Sequence, residues 1–166
     1  FIPVFQNFYD KIGMQNEESS IDYKSQLSDG SFAELLLSYH KKDSYSQYSN
    51  VGTHKDDLVF TIKGYPIKKF GSQGQQKSFV IALRLAQFEW LKAQKNTNPI
   101  LLLDDIFDKL DSERVQKLVH LVTQDDFGQV LLSDTDQERM EALLDSLSVP
   151  SKLFEVIDGD VKEISR

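Results

Sequence analysis

The chain has 166 residues, no cysteine and a formal net charge of −7. This length fits one domain, or one domain with an appendage, and the lack of cysteine excludes disulfides and cysteine-based zinc or iron–sulfur sites. The acidic balance argues against a surface built to coat DNA phosphates, so we expect any nucleic-acid contact to use a part of the protein outside this chain. No apolar run approaches the roughly 20 residues of a membrane span. We expect a cytoplasmic protein without a membrane partner. Because it starts with Phe1 and shows no signal peptide, we also expect a piece of something longer.

The first 50 residues predict a strand, a helix and a loop. Ile21 and Tyr23 alternate with polar residues, which is typical of a strand. Ser31 followed by Glu34 forms a capping box and predicts a short helix. Residues 40–50 are polar and rich in Ser and Tyr, which predicts a loop or linker.

A more regular pattern begins at residue 51. Residues 56–70 predict two strands joined at Lys63-Gly64. Residues 74–95 predict a long helix that ends before Pro99. Its expected apolar face contains Phe79, Ala82, Leu83, Ala86 and Trp90.

The remaining chain alternates between strands and helices. Residues 100–103 and 128–133 are short and apolar, as expected for strands buried on both faces of a parallel sheet. Helices are predicted at 113–124, capped by Asp111 or Ser112, and at 136–147. A hairpin turning at 158–160 ends the chain. The pattern predicts an α/β fold with parallel strands flanked by helices.

Two carboxylates, Asp104 and Asp105, follow the first of these strands. Ligands of open α/β sheets bind at the carboxyl ends of the strands, and Mg²⁺ prefers such oxygen ligands. Asp104 is therefore a candidate metal ligand and Asp105 a candidate group for orienting an attacking water. The alternative is that both residues only form the turn.

The stretch "FGSQGQQKS", residues 70–78, precedes and begins the long helix. A P-loop interpretation fails because Gln76 replaces the second obligatory glycine. Ser72 and Gln75 instead predict a capping box at a helix head, whose free N–H groups can bind phosphate. Gly74 leaves room for a close approach. The alternative is a capped helix without a ligand.

The order and spacing of these motifs resemble the C-terminal half of an ABC-type ATPase. Ser72, Gly74 and Gln75 match the signature motif, and residues 100–104 match Walker B. Asp105 stands where that family usually has a catalytic Glu, and residues 108–111 match the D-loop. Three longer stretches resemble the RecF family of bacterial DNA repair ATPases: "GTHKDDLVFTIKGYPIKKFGSQGQQKS", "PILLLDDIFDKLDSER" and "GQVLLSDTD".

The RecF resemblance implies a mechanism and partners. Such proteins bind ATP with Mg²⁺, form a homodimer around ATP, bind DNA at gaps and junctions, and help load RecA with RecO and RecR. The resemblance also implies that residues 1–50 form the end of the arm domain and that residues 51–166 form the C-terminal lobe of the ATPase head.

Individual residues take their roles from the same resemblance. Asp104 would hold the metal and Asp105 would act as the base. Asp108 and Asp111 would form the D-loop. The residues aimed at the partner subunit's ATP would be Ser72, Gln73, Gly74 and Gln75. The chain contains no P-loop, so we expect it to neither bind ATP tightly nor hydrolyse it alone.

Several departures from the family pattern leave alternatives open. Asp105 is shorter than Glu, which implies slow hydrolysis, and Ser133 and Asp134 stand where transporters have a switch His. Asp134 would either position water or act as a loop carboxylate, and His54 receives no role. Asp104, Asp105, Asp134 and Asp136 also permit a metal-dependent phosphodiester enzyme. A third interpretation is a non-catalytic interaction module.

Overall fold

The structure is a computed structural model that describes residues 1–13, 17–28, 30–105, 110–124 and 127–164. Its residues form two compact units: Phe1 with residues 3–15 and 73–166, and Ile2 with residues 16–72. The division into an arm and a head at residue 50 concerns the domains of the whole protein and stays a prediction. Among the described helices, none combines the length and apolar character that crossing a membrane requires.

The smaller unit is built on a three-stranded antiparallel sheet in the order β1-β2-β3. Its elements are β1 (Ser19–Lys24), α2 (Phe32–Ser46), β2 (Asp57–Ile62), β3 (Tyr65–Pro66) and α3 (Ile67–Phe70), with 3-10 turns at Gln26–Ser28 and Thr53–Lys55. The predicted strand around Ile21 is confirmed, and Ile21 lies opposite Phe60.

The turn at Lys63-Gly64 is also confirmed. Both residues have positive φ, 49° and 77°, as a two-residue hairpin turn that follows strand twist requires. The strand after the turn is only two residues long. It ends at Pro66, which has no N–H to continue the ladder, and one turn of helix follows.

Helix α2 is longer than its sequence predicts. Ser31 caps it by accepting a hydrogen bond from the Glu34 N–H at 3.3 Å, which confirms the predicted start. The helix continues to Ser46, so the prediction of a loop is wrong for residues 40–46. Ser44 lies within the helix, and its hydroxyl donates to the His40 carbonyl at 2.9 Å.

The larger unit contains the alternating strands and helices, and confirms the α/β prediction. Its elements are α1 (Ile2–Ile12), α4 (Gln73–Lys95), β4 (Leu101–Leu103), α5 (Ser112–Val122), β5 (Val130–Leu132), α6 (Gln137–Asp145), β6 (Leu153–Ile157) and β7 (Asp160–Ile164). Strands β4 and β5 are parallel, with Leu102 opposite Leu131. Strands β6 and β7 form the predicted terminal hairpin, with positive φ at Asp158 and Gly159.

The core of this unit is an aromatic cluster between α1 and α4. The Phe79 ring centroid lies 4.6 Å from that of Phe5 and 5.6 Å from that of Tyr9. The buried arc of α4 is centred on Ser78, Ala82 and Leu85, whereas Trp90 lies at its rim and is 55% exposed. Trp90, predicted on the apolar face, thus lies outside the buried part of that face.

The β4–β5 sheet is covered on one face only in the described part of the chain. Leu101 and Leu103 are buried, whereas Leu102 is 67% exposed and Leu131 48% exposed. Successive side chains of a strand point to opposite faces, so these values separate a covered face from an open one. The prediction of strands buried on both faces is wrong for this chain.

We predict that Asn50→Ala destabilises the protein in a pH-dependent way. The Asn50 side chain donates to Asp43 Oδ1 at 2.8 Å and its N–H at 3.0 Å. The side-chain bond from Asn50 has the larger effect, and together the two bonds hold the pKa of Asp43 below its ordinary value. Their contribution is therefore present above the carboxyl's ordinary pKa and is lost as pH falls through the lowered one.

Urea unfolding over a pH series measures this effect. The stability difference between the parent and Asn50→Ala should be largest near neutral pH and shrink in acid. In an Asp43→Asn background, the same substitution should cost the same at every pH. Equal pH dependence in both backgrounds would contradict the assignment.

Candidate functional site

The carboxyl ends of β4 and β5 lie side by side and carry the polar residues that follow both strands. Asp104 and Asp105 follow β4 and are exposed. Ser133 follows β5, and its N–H donates to the Leu103 carbonyl at 3.0 Å. The backbone pairing thus places Ser133 directly beside the two carboxylates.

Ser133 connects Asp104 to Asp105. Its hydroxyl donates to Asp104 Oδ1 and accepts a hydrogen bond from the Asp105 N–H at 3.2 Å. The Asp104 carboxylate is therefore fixed by the neighbouring strand. Sequence reasoning missed this role, because it noted Ser133 only as a departure from the transporter pattern. The available signal was a hydroxyl at the first position after the second apolar strand.

Helix α4 holds the backbone of Asp105. Lys77 Nζ donates to the Asp105 carbonyl at 2.9 Å, and Asp105 has the left-handed φ of 50°. Asp is among the few residues that tolerate this conformation, because its short polar side chain bonds locally. The lysine that belonged to a failed P-loop match therefore stabilises the loop after β4.

A second contact joins α4 to the start of α5. Arg114 Nη1 donates to Ser78 Oγ at 3.2 Å, and Ser78 is fully buried. Arg114 Nε lies 3.3 Å from Asp111 Oδ2, and Asp111 Oδ1 accepts from the Arg114 N–H at 2.9 Å. Asp111 is thus the N-cap of α5, and it is one of the two residues predicted for that position. Asp108 lies outside the described residues.

The proposed signature residues surround the beginning of α4. Ser72 is exposed and immediately precedes the helix, and Gln73 is its exposed first residue. Gly74 and Gln75 are half-buried in the first turn. That turn contains no acidic residue, so nothing in its sequence opposes the partial positive charge of the helix head. The capping box and the phosphate role stay predictions.

No protein-family model matches the chain. Curated relatives match almost all of it. It is 43% identical over 164 residues to the DNA replication and repair protein RecF of Bacteroides thetaiotaomicron. It is 50% identical over 154 residues to that of Flavobacterium johnsoniae. These matches span 99% and 93% of this chain and 44% and 43% of those proteins. The chain matches the C-terminal part of RecF proteins. It spans less than half of their length.

Solved structures of RecF share the fold. One is a structure of the recombination mediator protein RecF-ATPrS in the RecFOR pathway, with a TM-score of 0.70 and 21% identity over 98% of this chain and 43% of that chain. The corresponding RecF-ATP structure has a TM-score of 0.68 and 22% identity, with the same coverage. An SMC ATPase structure has a TM-score of 0.52 and 15% identity, covering 99% of this chain and 81% of that chain. The chain therefore shares the fold of the matched part of these RecF and SMC structures.

Asp134 and Asp136 are both bound to Arg139. The Asp134 side chain is only 1% exposed, and its Oδ1 accepts from Arg139 Nη2 and from the Asp136 N–H, both at 2.8 Å. Asp136 caps α6 by accepting from the Arg139 N–H at 3.0 Å. These contacts support the loop-carboxylate interpretation of Asp134.

His54 also has a structural contact, because its Nε2 lies 3.0 Å from the Ser49 carbonyl oxygen. Within the described ranges, no group of three or more His, Cys, Asp or Glu residues forms a ready metal cluster.

The donor set at Asp104 suits the magnesium ion that the sequence predicts. Asp104 is exposed at the sheet edge and Ser133 engages only its Oδ1, so the second oxygen has no hydrogen-bond partner among the described residues. Mg²⁺ is commonly held by one or two carboxylates together with phosphate oxygens and waters. A single oriented carboxylate is sufficient for that arrangement.

We predict that Arg114→Met lowers the free energy of unfolding by about 2 kcal/mol, the scale of a hydrogen bond to a charged group. The substitution removes the hydrogen bond that Arg114 donates to the buried Ser78 hydroxyl and the ion pair with Asp111. Chemical denaturation measures the loss.

Lys117→Met is the matched control on the same helix. Lys117 pairs with Glu113 at the surface, at 2.7 Å, and exposed pairs of this kind contribute roughly 0.5 kcal/mol. Equal losses for the two variants would contradict a special role for Arg114.

Proposed function

We propose that this chain supplies two parts of the ATP site of a RecF-type DNA replication and repair protein. One is the metal-binding carboxylate for the subunit's own ATP, and the other is a helix head for the ATP of a second subunit. The main observation behind this proposal is that Ser133 fixes Asp104 and Asp105 at the carboxyl ends of two parallel strands. The relatives named RecF and the fold shared with the RecF-ATPrS and RecF-ATP structures support it.

Each residue has a defined task in this proposal. Asp104 holds Mg²⁺, which neutralises phosphate charge when ATP is bound. Asp105 orients the attacking water and takes its proton. Gln73, Gly74 and Gln75, together with Ser72, present N–H and side-chain donors to the γ-phosphate held by the second subunit. Dimerisation then depends on the γ-phosphate, and hydrolysis allows the two subunits to separate.

The printed sequence contains no P-loop. We therefore propose that residues outside these 166 hold the remaining phosphates. Asp108 and Asp111 form the D-loop, and residues 1–50 belong to the arm.

DNA and protein partners complete the proposal. The whole protein acts in the cytoplasm, binds gapped or junction DNA and helps RecO and RecR load RecA. The names of the relatives, which refer to DNA replication and repair, and of the solved structures, which refer to the RecFOR pathway, support this assignment.

No observation favours either alternative function. A two-metal phosphodiester enzyme requires Asp134 and Asp136 to face the metals, but their carboxylates are bound to Arg139 and to the α6 backbone. A purely structural interaction module gives no reason for Ser133 to orient the Asp104 carboxylate.

We predict that Asp105→Asn in the complete protein slows ATP hydrolysis about a hundredfold, the scale of one general base. Because the amide cannot accept the proton of the attacking water, the ATP-bound dimer should also live longer. Steady-state phosphate release and light scattering measure the two effects. Asp160→Asn, in the exposed terminal hairpin, should change neither. Unchanged turnover in Asp105→Asn would exclude the base assignment.

We predict that Ser133→Ala raises the Mg²⁺ concentration for half-maximal hydrolysis about tenfold, the scale for loss of a group that orients a metal ligand. Without the hydroxyl, the Asp104 carboxylate is no longer fixed. Ser133→Thr keeps the hydroxyl and should restore most of the Mg²⁺ affinity. Hydrolysis over a magnesium titration tests both variants. The same magnesium dependence in Ser133→Ala and the parent would contradict the positioning role.

A further inference from the structure

The basic residues of the chain are unevenly distributed. Residues 58–88 contain no Asp or Glu, although the chain has 26 such residues in total. The same segment carries Lys63, Lys68, Lys69, Lys77 and Arg84. A positively charged segment is therefore present despite the net charge of −7. Three of its lysines lie in the smaller unit, within residues 63–70.

Two aromatic rings are exposed among these three lysines. Tyr65 is 62% exposed and Phe70 is 60% exposed, and their ring centroids lie 5.4 Å apart at an interplanar angle of 58°. Lys69 Nζ lies 5.4 Å from the centroid of the Phe70 ring. Single exposed apolar residues are ordinary, but a contacting pair with an adjacent cation presents a polarised aromatic surface to solvent.

The lysines of this region are available for a ligand. Lys63, Lys68 and Lys69 are exposed, and none of them forms an ion pair with a carboxylate of the described residues. Lys63 lies in the hairpin turn two residues before Tyr65, and Lys68 lies in the same helical turn as Phe70. Positive charge thus borders the aromatic pair on both sides along the chain.

The segment is also held in one conformation. Ile62, the last residue of β2, and Ile67, the first residue of α3, are 8% and 7% exposed and anchor the segment between them. Between them, the turn at Lys63-Gly64 is closed and paired, with Ile62 opposite Tyr65. Rings that are already ordered lose little conformational entropy when they bind.

We propose that Lys63, Tyr65, Lys68, Lys69 and Phe70 form a binding surface for single-stranded DNA, which we call the aromatic–lysine surface. The exposed rings stack against unpaired bases and the ammonium groups contact the phosphates, the combination that single-strand binding proteins use. Duplex DNA keeps its bases stacked and offers the rings no partner. The inference rests on the proposed function in DNA repair and assigns part of its DNA contact to this chain, against the expectation from net charge.

Oligonucleotide binding by the complete protein tests the stacking part. Fluorescence anisotropy of a labelled single-stranded oligothymidylate should show at least about fivefold weaker binding for Tyr65→Ala/Phe70→Ala, the lower end of the loss for one stacked base. Tyr65→Phe keeps the ring and should bind like the parent. The matched control is Tyr45→Ala/Tyr48→Ala, which removes two exposed aromatics of the same unit and should leave affinity unchanged.

The salt dependence of binding tests the lysines. Each phosphate contact to a single strand contributes about 0.7 to the slope of log affinity against log salt, so Lys68→Gln/Lys69→Gln should lower the slope by about 1.4. Lys41→Gln/Lys42→Gln, a lysine pair on α2, is the control and should keep the parent slope. Thermal melting should show that all variants remain folded.

The outcomes separate this surface from the proposed function. Suppose that the parent binds the oligonucleotide and that Tyr65→Ala/Phe70→Ala binds as well as the parent, or no more weakly than the tyrosine control. The assignment of the aromatic–lysine surface is then wrong, while DNA binding by the protein stands. A loss confined to the lysine variant overturns stacking and leaves a phosphate contact. If the parent binds no DNA, both the surface and the DNA part of the proposed function fail, whereas ATP hydrolysis and its dependence on Asp105 remain testable.

Discussion

The attachment of α4 to the segment that follows β4 is the constraint on which the candidate site depends. Two consecutive helix residues make it: Lys77 bonds the Asp105 carbonyl, and Ser78 accepts from Arg114 at the start of α5. Ser78 and Arg114 are buried, where an unpaired polar or charged group is costly, so this bond is not easily given up. These two bonds tie the helix head to the Asp104–Asp105 loop and to the start of α5. In the proposed dimer the head faces one ATP and the loop faces another, so α4 provides a direct mechanical connection between the two.

The chemistry of Ser133 explains why a hydroxyl suits its position. The group donates to the Asp104 carboxylate and accepts from the Asp105 N–H at the same time. A hydroxyl can do both, whereas an ionised carboxylate can only accept and would repel Asp104. Ser133 therefore orders the loop without adding charge beside the carboxylates. This role differs from that of a switch His, which would be expected to act on the nucleotide.

Local features of the fold are readable from the sequence and non-local ones are not. The Ser31 and Asp111 caps, the Lys63-Gly64 turn and helix α4 depend on neighbouring residues, and the structure contains all of them. The open face at Leu102 and the exposed Trp90 depend on what covers each element, which periodicity does not show. Among the site residues, the position of Asp104 and Asp105 after a strand follows from pattern. The contacts of Lys77 and Ser133 with Asp105 each span 28 positions and have no sequence signature.

The left-handed backbone at Asp105 limits how this loop can evolve. Asp, Asn and Gly accept a φ of 50° readily, whereas longer side chains do so at a cost. Substituting Glu for Asp105 therefore does more than extend a carboxylate by one methylene. It also adds a conformational cost at the residue whose carbonyl accepts the Lys77 bond. The backbone at Asp105 thus restricts which acidic side chains fit the loop that Lys77 holds.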